Sequence, residues 1–243
     1  MIISTSNELI SNGFTLINGA FSDGDFDDLR SNNFSRVLVS TSSVLEFSCG
    51  AVGSFDYIAL HGLRLRNGMV VSVAGEGFIK TYTVNNENNT NLVFYNSGGG
   101  SINDIVVRIS GAGSKTISFI QAGQAVVSPW GVDSSQNLHY LSYNSESRSS
   151  IDRYGSPALR TQRKTNPNIR LNINNVTKDW ARVNLRDILN HYQNVGVLSV
   201  LDYEQDDRPN ESFAGFDMRP PSVMPHSQTM ELVNISISMK ASV

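Results

Sequence analysis

"SFDYIALHGLRLRNGMVVSVAG", residues 54–75, decides the fold, because two apolar runs meet across glycine-punctuated turns and neither run has a helical period. In a strand, Tyr57, Ala59 and His61 share one face, with Phe55 at its start, while Asp56, Ile58 and Leu60 share the other. Both faces carry apolar residues, which places this strand deep in a layered core. Gly62 and Gly68 close the runs, where a residue without Cβ can take positive φ at no steric cost. His61, Arg64 and Arg66 raise the alternative of an active site in the same stretch.

Outward from there, "RVLVS" (36–40), "VLEFS" (44–48), "FIKTYTV" (78–84), "NLVFYN" (91–96), "DIVVRISG" (104–111), "TISFIQAG" (116–123) and "AVVS" (125–128) could each bury one face. Their spacing of about ten residues predicts a mostly β, antiparallel sandwich or barrel. After "NIRLNIN" (168–174) the period changes. Leu185, Ile188, Leu189 and Tyr192 fall at i, i+3, i+4 and i+7 and predict one helix near residues 179–193. Thr177 or Asp179 would cap it, Gly196 would end it, and its apolar stripe is expected to seal an open end of the sandwich. Strand patterns return in "VGVLSVLDYE" (195–204) and "SFAGFDM" (212–218); "RPPSVMPHSQ" (219–228) reads as a proline-rich turn. In "TMELVNISISMK" (229–240), Val233, Ile235, Ile237 and Met239 alternate onto one buried face. The chain thus divides into an N-terminal extension (1–33), the main sandwich strands (34–129), an irregular arm or long loop (130–167), and a segment (168–243) that completes the same sandwich or forms a small second lobe.

At 243 residues and 40% hydrophobic composition, the chain is long enough to bury a substantial core. Its net charge of −3 gives no basic stripe for a phosphate backbone, so no nucleic-acid partner is expected. No apolar run approaches the roughly 20 residues that cross a bilayer, so no membrane insertion is expected either. The first residues lack the features of a secretory signal, and folding in the cytosol where the chain is made is the expectation. The lone Cys49 reads as a buried small hydrophobe.

Catalytic residues are not evident, and none is assigned: His61, His139, His191 and His226 are far apart, and no nucleophile elbow or phosphate-cradling loop accompanies them. The acidic run "DGDFDD" holds Asp23, Asp25 and Asp27, alternate carboxylates that could converge on a calcium ion, although the spacing fails the EF-hand pattern. No other cofactor is expected. In the 130–167 arm, Trp130, Tyr140, Tyr143 and Tyr154 interleave with Arg160, Arg163 and Lys164, residue types favoured at interfaces. These seven are the candidate interface residues, with Trp130, Tyr140 and Tyr143 doubling as candidates for stacking on a sugar.

The order of segments resembles a class of tailed-bacteriophage virion proteins, tail or tail-associated, built on a galactose-binding-like jelly roll. The carriers are "FSRVLVSTSSVLEFSCGAVGSFDYIALHGLRLRNGMVVSVAG" (34–75), "ISFIQAGQAVV" (117–127) and "DWARVNLRDILNHYQNVGVLSVLDYE" (179–204) with the final strand. The resemblance implies an antiparallel jelly-roll sandwich and a non-enzymatic structural subunit located in a virion. Such a subunit would act through repeated contacts with copies of itself and other virion proteins. It also admits the alternative of a carbohydrate-binding module that takes a host glycan for attachment.

Overall fold

Residues 54–61 form a strand whose two faces meet two different sheets, and the rest of the architecture is arranged around it. The computed structural model describes residues 1–243 apart from 31–32, 52, 86–90, 102–103, 130–143, 152–156, 166–167, 202–207, 227–228 and 243. In chain order the elements are β1 (Ile2–Ser4), β2 (Leu9–Asn18), β3 (Leu38–Ser40), β4 (Val44–Ala51), β5 (Ser54–His61), β6 (Val70–Gly75), β7 (Phe78–Thr83), β8 (Asn91–Ser101), β9 (Asp104–Ser110) and β10 (Lys115–Ile117). There follow β11 (Phe119–Gly123), β12 (Ala125–Val127), β13 (Asn144–Ile151), β14 (Pro157–Thr165), β15 (Asn168–Thr177), α1 (Lys178–Val195), β16 (Leu198–Leu201), β17 (Ser212–Phe216), β18 (Ser222–His226) and β19 (Thr229–Ser242).

A five-stranded sheet, β2-β4-β9-β6-β7, faces a three-stranded sheet, β11-β5-β8, with β3 and β10 paired beside them. Phe47, Val73, Val107 and Ile109 from the first sheet meet Phe55, Ile58, Leu60, Leu92 and Ile120 from the second. Each such side chain contributes about 1.5–3 kcal/mol by leaving water. This is the expected mostly β antiparallel sandwich with one helix. Phe55 joins Ile58 and Leu60 because the β5–β8 register shifts between Phe55 and Tyr57, which a strict alternation does not foresee.

The opposite face of β5 carries Tyr57 and Ala59 against Ile2 and Leu201, which belong to a seven-stranded sheet. That sheet runs β12-β1-β16-β17-β19-β15, with β18 also on β19. On its far side Ile3, Leu171, Ile173, Val200, Ile235 and Ile237 pack with Ile188 and Ala181 of α1. The layers are therefore five-stranded sheet, three-stranded sheet, seven-stranded sheet and helix. The core there is built from the 168–243 segment together with Met1 and Ile3, and α1 covers a sheet face; the expected sealing of an open sandwich end does not occur.

The helix starts where expected. Thr177 accepts a hydrogen bond from the Trp180 amide at 3.1 Å, and Gly196, at φ 79°, closes it by donating to the Tyr192 carbonyl. Three expectations need correction. Residues 1–33 are no appendage, because β1 pairs with β12 and β16 while β2 pairs with β4. The irregular arm contains an antiparallel hairpin, β13 with β14, whose polar Ser- and Arg-rich sequence hid its strand character. The proline-rich turn contains β18, an edge strand on β19, where Pro225 is tolerated because edge positions need not donate to a ladder. No helix of the described residues is long and apolar enough to cross a membrane.

Candidate functional site

His61 answers the question posed by its own stretch. It ends β5 on the face toward the seven-stranded sheet and is fully buried. Its Nε2 lies 2.7 Å from Ser199 Oγ on β16, and its Nδ1 lies 2.9 Å from Asn91 Oδ1 on β8. A hydroxyl, an imidazole and an amide in line have the spacing of a nucleophile, base and orienting group. Ser199 is 2% exposed, however, and its hydroxyl donates to Gln121 Oε1, so no substrate can meet it. The group is a seam between the jelly roll and the seven-stranded sheet.

Proton bookkeeping in this seam is unusual. Asn91 Nδ2 donates to the Ser242 carbonyl and Gln121 Nε2 to the Val197 carbonyl, which fixes both amide oxygens as acceptors. Three contacts then run from Asn91 Oδ1 through His61 and Ser199 to Gln121 Oε1. A neutral imidazole and a hydroxyl supply one proton each, one fewer than the contacts. Burial nevertheless pulls the His61 pKa down to about 4, against a smaller opposing effect of the Asn91 hydrogen bond.

Phe34 separates this seam from solvent. Its ring centroid lies 6.4 Å from His61, 6.1 Å from Phe119 and 6.2 Å from Phe216. On its outer side is a pocket of about 510 Å³ lined by Asn33, Phe34, Ser35, Val197, Phe216 and Ser242, with the backbone of Gly196 at its edge. Phe34 and Phe216 are each partly exposed there. The lining brings the aromatic Phe34 and Phe216 together with the polar residues Asn33, Ser35 and Ser242. No sequence pattern singles out this pair. Both residues read as ordinary sandwich positions, and only the fold brings β17 beside the segment preceding β3.

A second cleft, of about 210 Å³, opens farther along the same face of β19, lined in part by Arg170, Asp217, Arg219, Ser238 and Lys240. Lys240 Nζ lies 2.7 Å from Asp217 Oδ2. That contact, with a smaller effect of Arg219, holds the Asp217 carboxyl below the usual range.

The candidate residues named from sequence fare differently. Trp130, Tyr140, Tyr143 and Tyr154 lie outside the described residues. Arg160, Arg163 and Lys164 lie on β14, where they pair in register with Ser149, Glu146 and Ser145. Asp23, Asp25 and Asp27 are not grouped as a set of ligands. Asp23 accepts from the Gly24 amide, Asp25 from the Asp27 and Asp28 amides, and Asp27 pairs with Arg30 at 3.3 Å. These carboxylates cap their own turn, and among the described residues no three His, Cys, Asp or Glu side chains are grouped to hold a metal. A cation is instead built in elsewhere. Lys115 Nζ donates to the carbonyls of Ser42, Gly111 and Gly113 at 2.6, 2.7 and 3.2 Å. Arg64 and Arg66 are exposed, and Cys49 is buried in β4.

The described architecture is a β-sandwich with an added sheet and helix. No protein-family model matches the chain, and no curated protein matches it. Among solved structures it is similar to SpX-3, a Streptococcus pneumoniae fucose-binding module, at 10% identity and a TM-score of 0.35, over 48% of this chain and 96% of that one. It is similar to SpGH29 at 13% identity and a TM-score of 0.37, over 50% of this chain and 28% of that one. A Ruminococcus gnavus GH29 fucosidase in complex with fucose shares 11% identity with a TM-score of 0.34, over 47% of this chain and 26% of the enzyme. The chain spans about a quarter of the length of these two GH29 proteins. Likenesses at this level assign neither a family nor a ligand.

Proposed function

We propose that the chain is a non-catalytic glycan-binding module that takes a sugar in the pocket between Phe34 and Phe216. The observation that carries this reading is the pairing of two partly exposed aromatic rings with Asn33, Ser35 and Ser242 around one open pocket. A sugar ring presents apolar C–H faces and a rim of hydroxyls, so it needs both an aromatic wall and nearby polar groups. The pocket is preformed. Phe34 is braced by Phe119 and the buried seam behind it, so little ordering accompanies binding. His61 and Ser199, the groups nearest to a catalytic arrangement, line neither of the two clefts.

The virion-subunit expectation, with a virion location and self-contacts through 130–167, has its aromatic candidates outside the described residues. A glycan array followed by calorimetry tests the module reading. Binding is expected, with Phe216→Ala weakening it by about ten-fold, the scale of one lost aromatic contact. Ser35→Trp, which fills the pocket mouth from an exposed position, should abolish it without changing the unfolding temperature. An array with no signal above background would overturn the reading.

A further inference from the structure

We infer that the cleft next to the sugar pocket binds the oxyanion of an acidic sugar, so that the ligand is a charged glycan. This rests on the glycan-binding reading above and specifies its ligand. The cleft arises from a gap in the sheet edge. β17 leaves β19 after pairing Phe216 with Lys240, and β18 joins only at Ser222 with Ser236. Between them residues 217–221, including Pro220 and Pro221, detour away from the ladder and leave Ser238 open on the floor. Arg219 tethers the detour by donating its amide to the Ser238 carbonyl at 2.8 Å. Asp217, at φ 52°, turns the chain into it and is held by Lys240.

Charge gives the cleft its chemistry. Arg170, Arg219 and Lys240 face the single carboxylate Asp217 across it, a local excess of positive charge in a chain of net −3. Lys240 is committed to Asp217. Arg170 uses only Nε, donated to Ser236 Oγ, which orients its guanidinium while its two Nη groups have no hydrogen-bond partner among the described residues. Arg219 makes no side-chain hydrogen bond among the described residues, adds to the positive field on Asp217, and lies on the detour, whereas Arg170 lies on β15. Two guanidinium groups from different elements around Ser238 match a carboxylate or sulfate, which accepts paired N–H donors in their plane.

The two clefts are neighbours by register. Phe216 and Ser242 line the sugar pocket, and the adjacent Asp217 and Lys240 line the charged cleft. Lys240 and Ser242 stand on the same face of β19, a two-residue step of about 7 Å. A saccharide seated against Phe34 and Phe216 therefore places its next substituent over the arginines.

The test uses matched glycans that differ only in charge, lactose against 3′-sialyllactose and 3′-sulfolactose, and a galacturonate trimer against its methyl ester. Calorimetry at low and at high salt should show a preference of about ten-fold or more for a charged member, narrowing as salt rises. Arg170→Gln and Arg219→Gln should bring the charged member down to its neutral counterpart and leave neutral binding unchanged. A preference for either the carboxylated or the sulfated member supports the inference and identifies the oxyanion. Equal binding of charged and neutral members overturns the inference and spares the pocket. Binding of no member overturns both.

Discussion

The seven-stranded sheet turns two unlike faces to the rest of the molecule. Beneath α1 it is apolar, with Leu171, Ile235, Ile237 and Ile188 closing a core by size and shape alone. Toward the jelly roll it is a mixture, with Ile2 and Leu201 in contact with Tyr57 but Ser199 and the Ser242 carbonyl committed to His61 and Asn91. Each side also buries one histidine. His191 of α1 is 3% exposed and its Nε2 has no hydrogen-bond partner among the described residues, whereas both nitrogens of His61 have one. The apolar face stabilises by burying side chains away from water. The polar face supplies register, because a sheet displaced by one residue would leave its amides and hydroxyls unpaired.

The largest effect should come from the apolar face. Ile237→Ala removes a fully buried side chain from the sheet centre and should cost about 2–5 kcal/mol in denaturant unfolding, the range for such truncations. A cost below that of cutting the polar seam would reverse the ranking of the two faces.

Acid should sharpen the contrast. Burial lowers the pKa of both His61 and His191 to about 4, below the unfolded value near 6.5. The unfolded chain therefore binds more protons between these values, and stability falls as pH drops from about 6.5 toward 4, by up to about 3 kcal/mol for each histidine. His191→Leu should remove its share of that loss, measured by unfolding at pH 7 and at pH 4.5. Both histidines are lowered to about the same value, so the two should contribute comparable shares. Asp56, raised to about 6 by burial, acts in the opposite direction, because its neutral form is favoured in the fold and its stabilisation is lost as pH rises. A stability independent of pH over this range in the His191→Leu variant and in the parent alike would refute the assignment.

Periodicity made one of these faces legible and left the other obscure. The alternation of Val233, Ile235, Ile237 and Met239 announced a buried face, and the i, i+3, i+4 stripe announced a helix with one apolar side, though not the sheet face it covers, because apolar burial repeats with the geometry of each element. The double-sided burial of β5 was also readable, although Tyr57 and Phe55 were separated by a register shift that leaves no trace in composition. The seam was not readable. Its members, His61, Asn91, Gln121 and Ser199, lie 30 to 138 residues apart where their contacts are measured against His61, and no local pattern links them. The Phe34–Phe216 pocket and the charged cleft share that difficulty, since Phe34 meets Phe216 only where β17 lies beside the segment preceding β3, and Arg170 and Arg219 line one cleft only because β15 and the 217–221 detour flank β19.

Ser199→Ala probes the polar face with the smallest change. It removes the hydroxyl that Gln121 Oε1 accepts from and that His61 Nε2 contacts, leaving two buried polar atoms each short of a partner. Unmade hydrogen bonds of this kind cost about 1–3 kcal/mol, less than the isoleucine truncation because no large cavity forms. If the seam is a coupled network, His61→Leu combined with Ser199→Ala should cost less than the sum of the single changes, because the second removal takes away a group already unpaired. Additive costs would mean that His61 and Ser199 act separately. Phe34 then supplies the second readout: its brace rests on His61 and Phe119, so loosening the seam should weaken sugar binding while leaving the distant five-stranded sheet protected from hydrogen exchange.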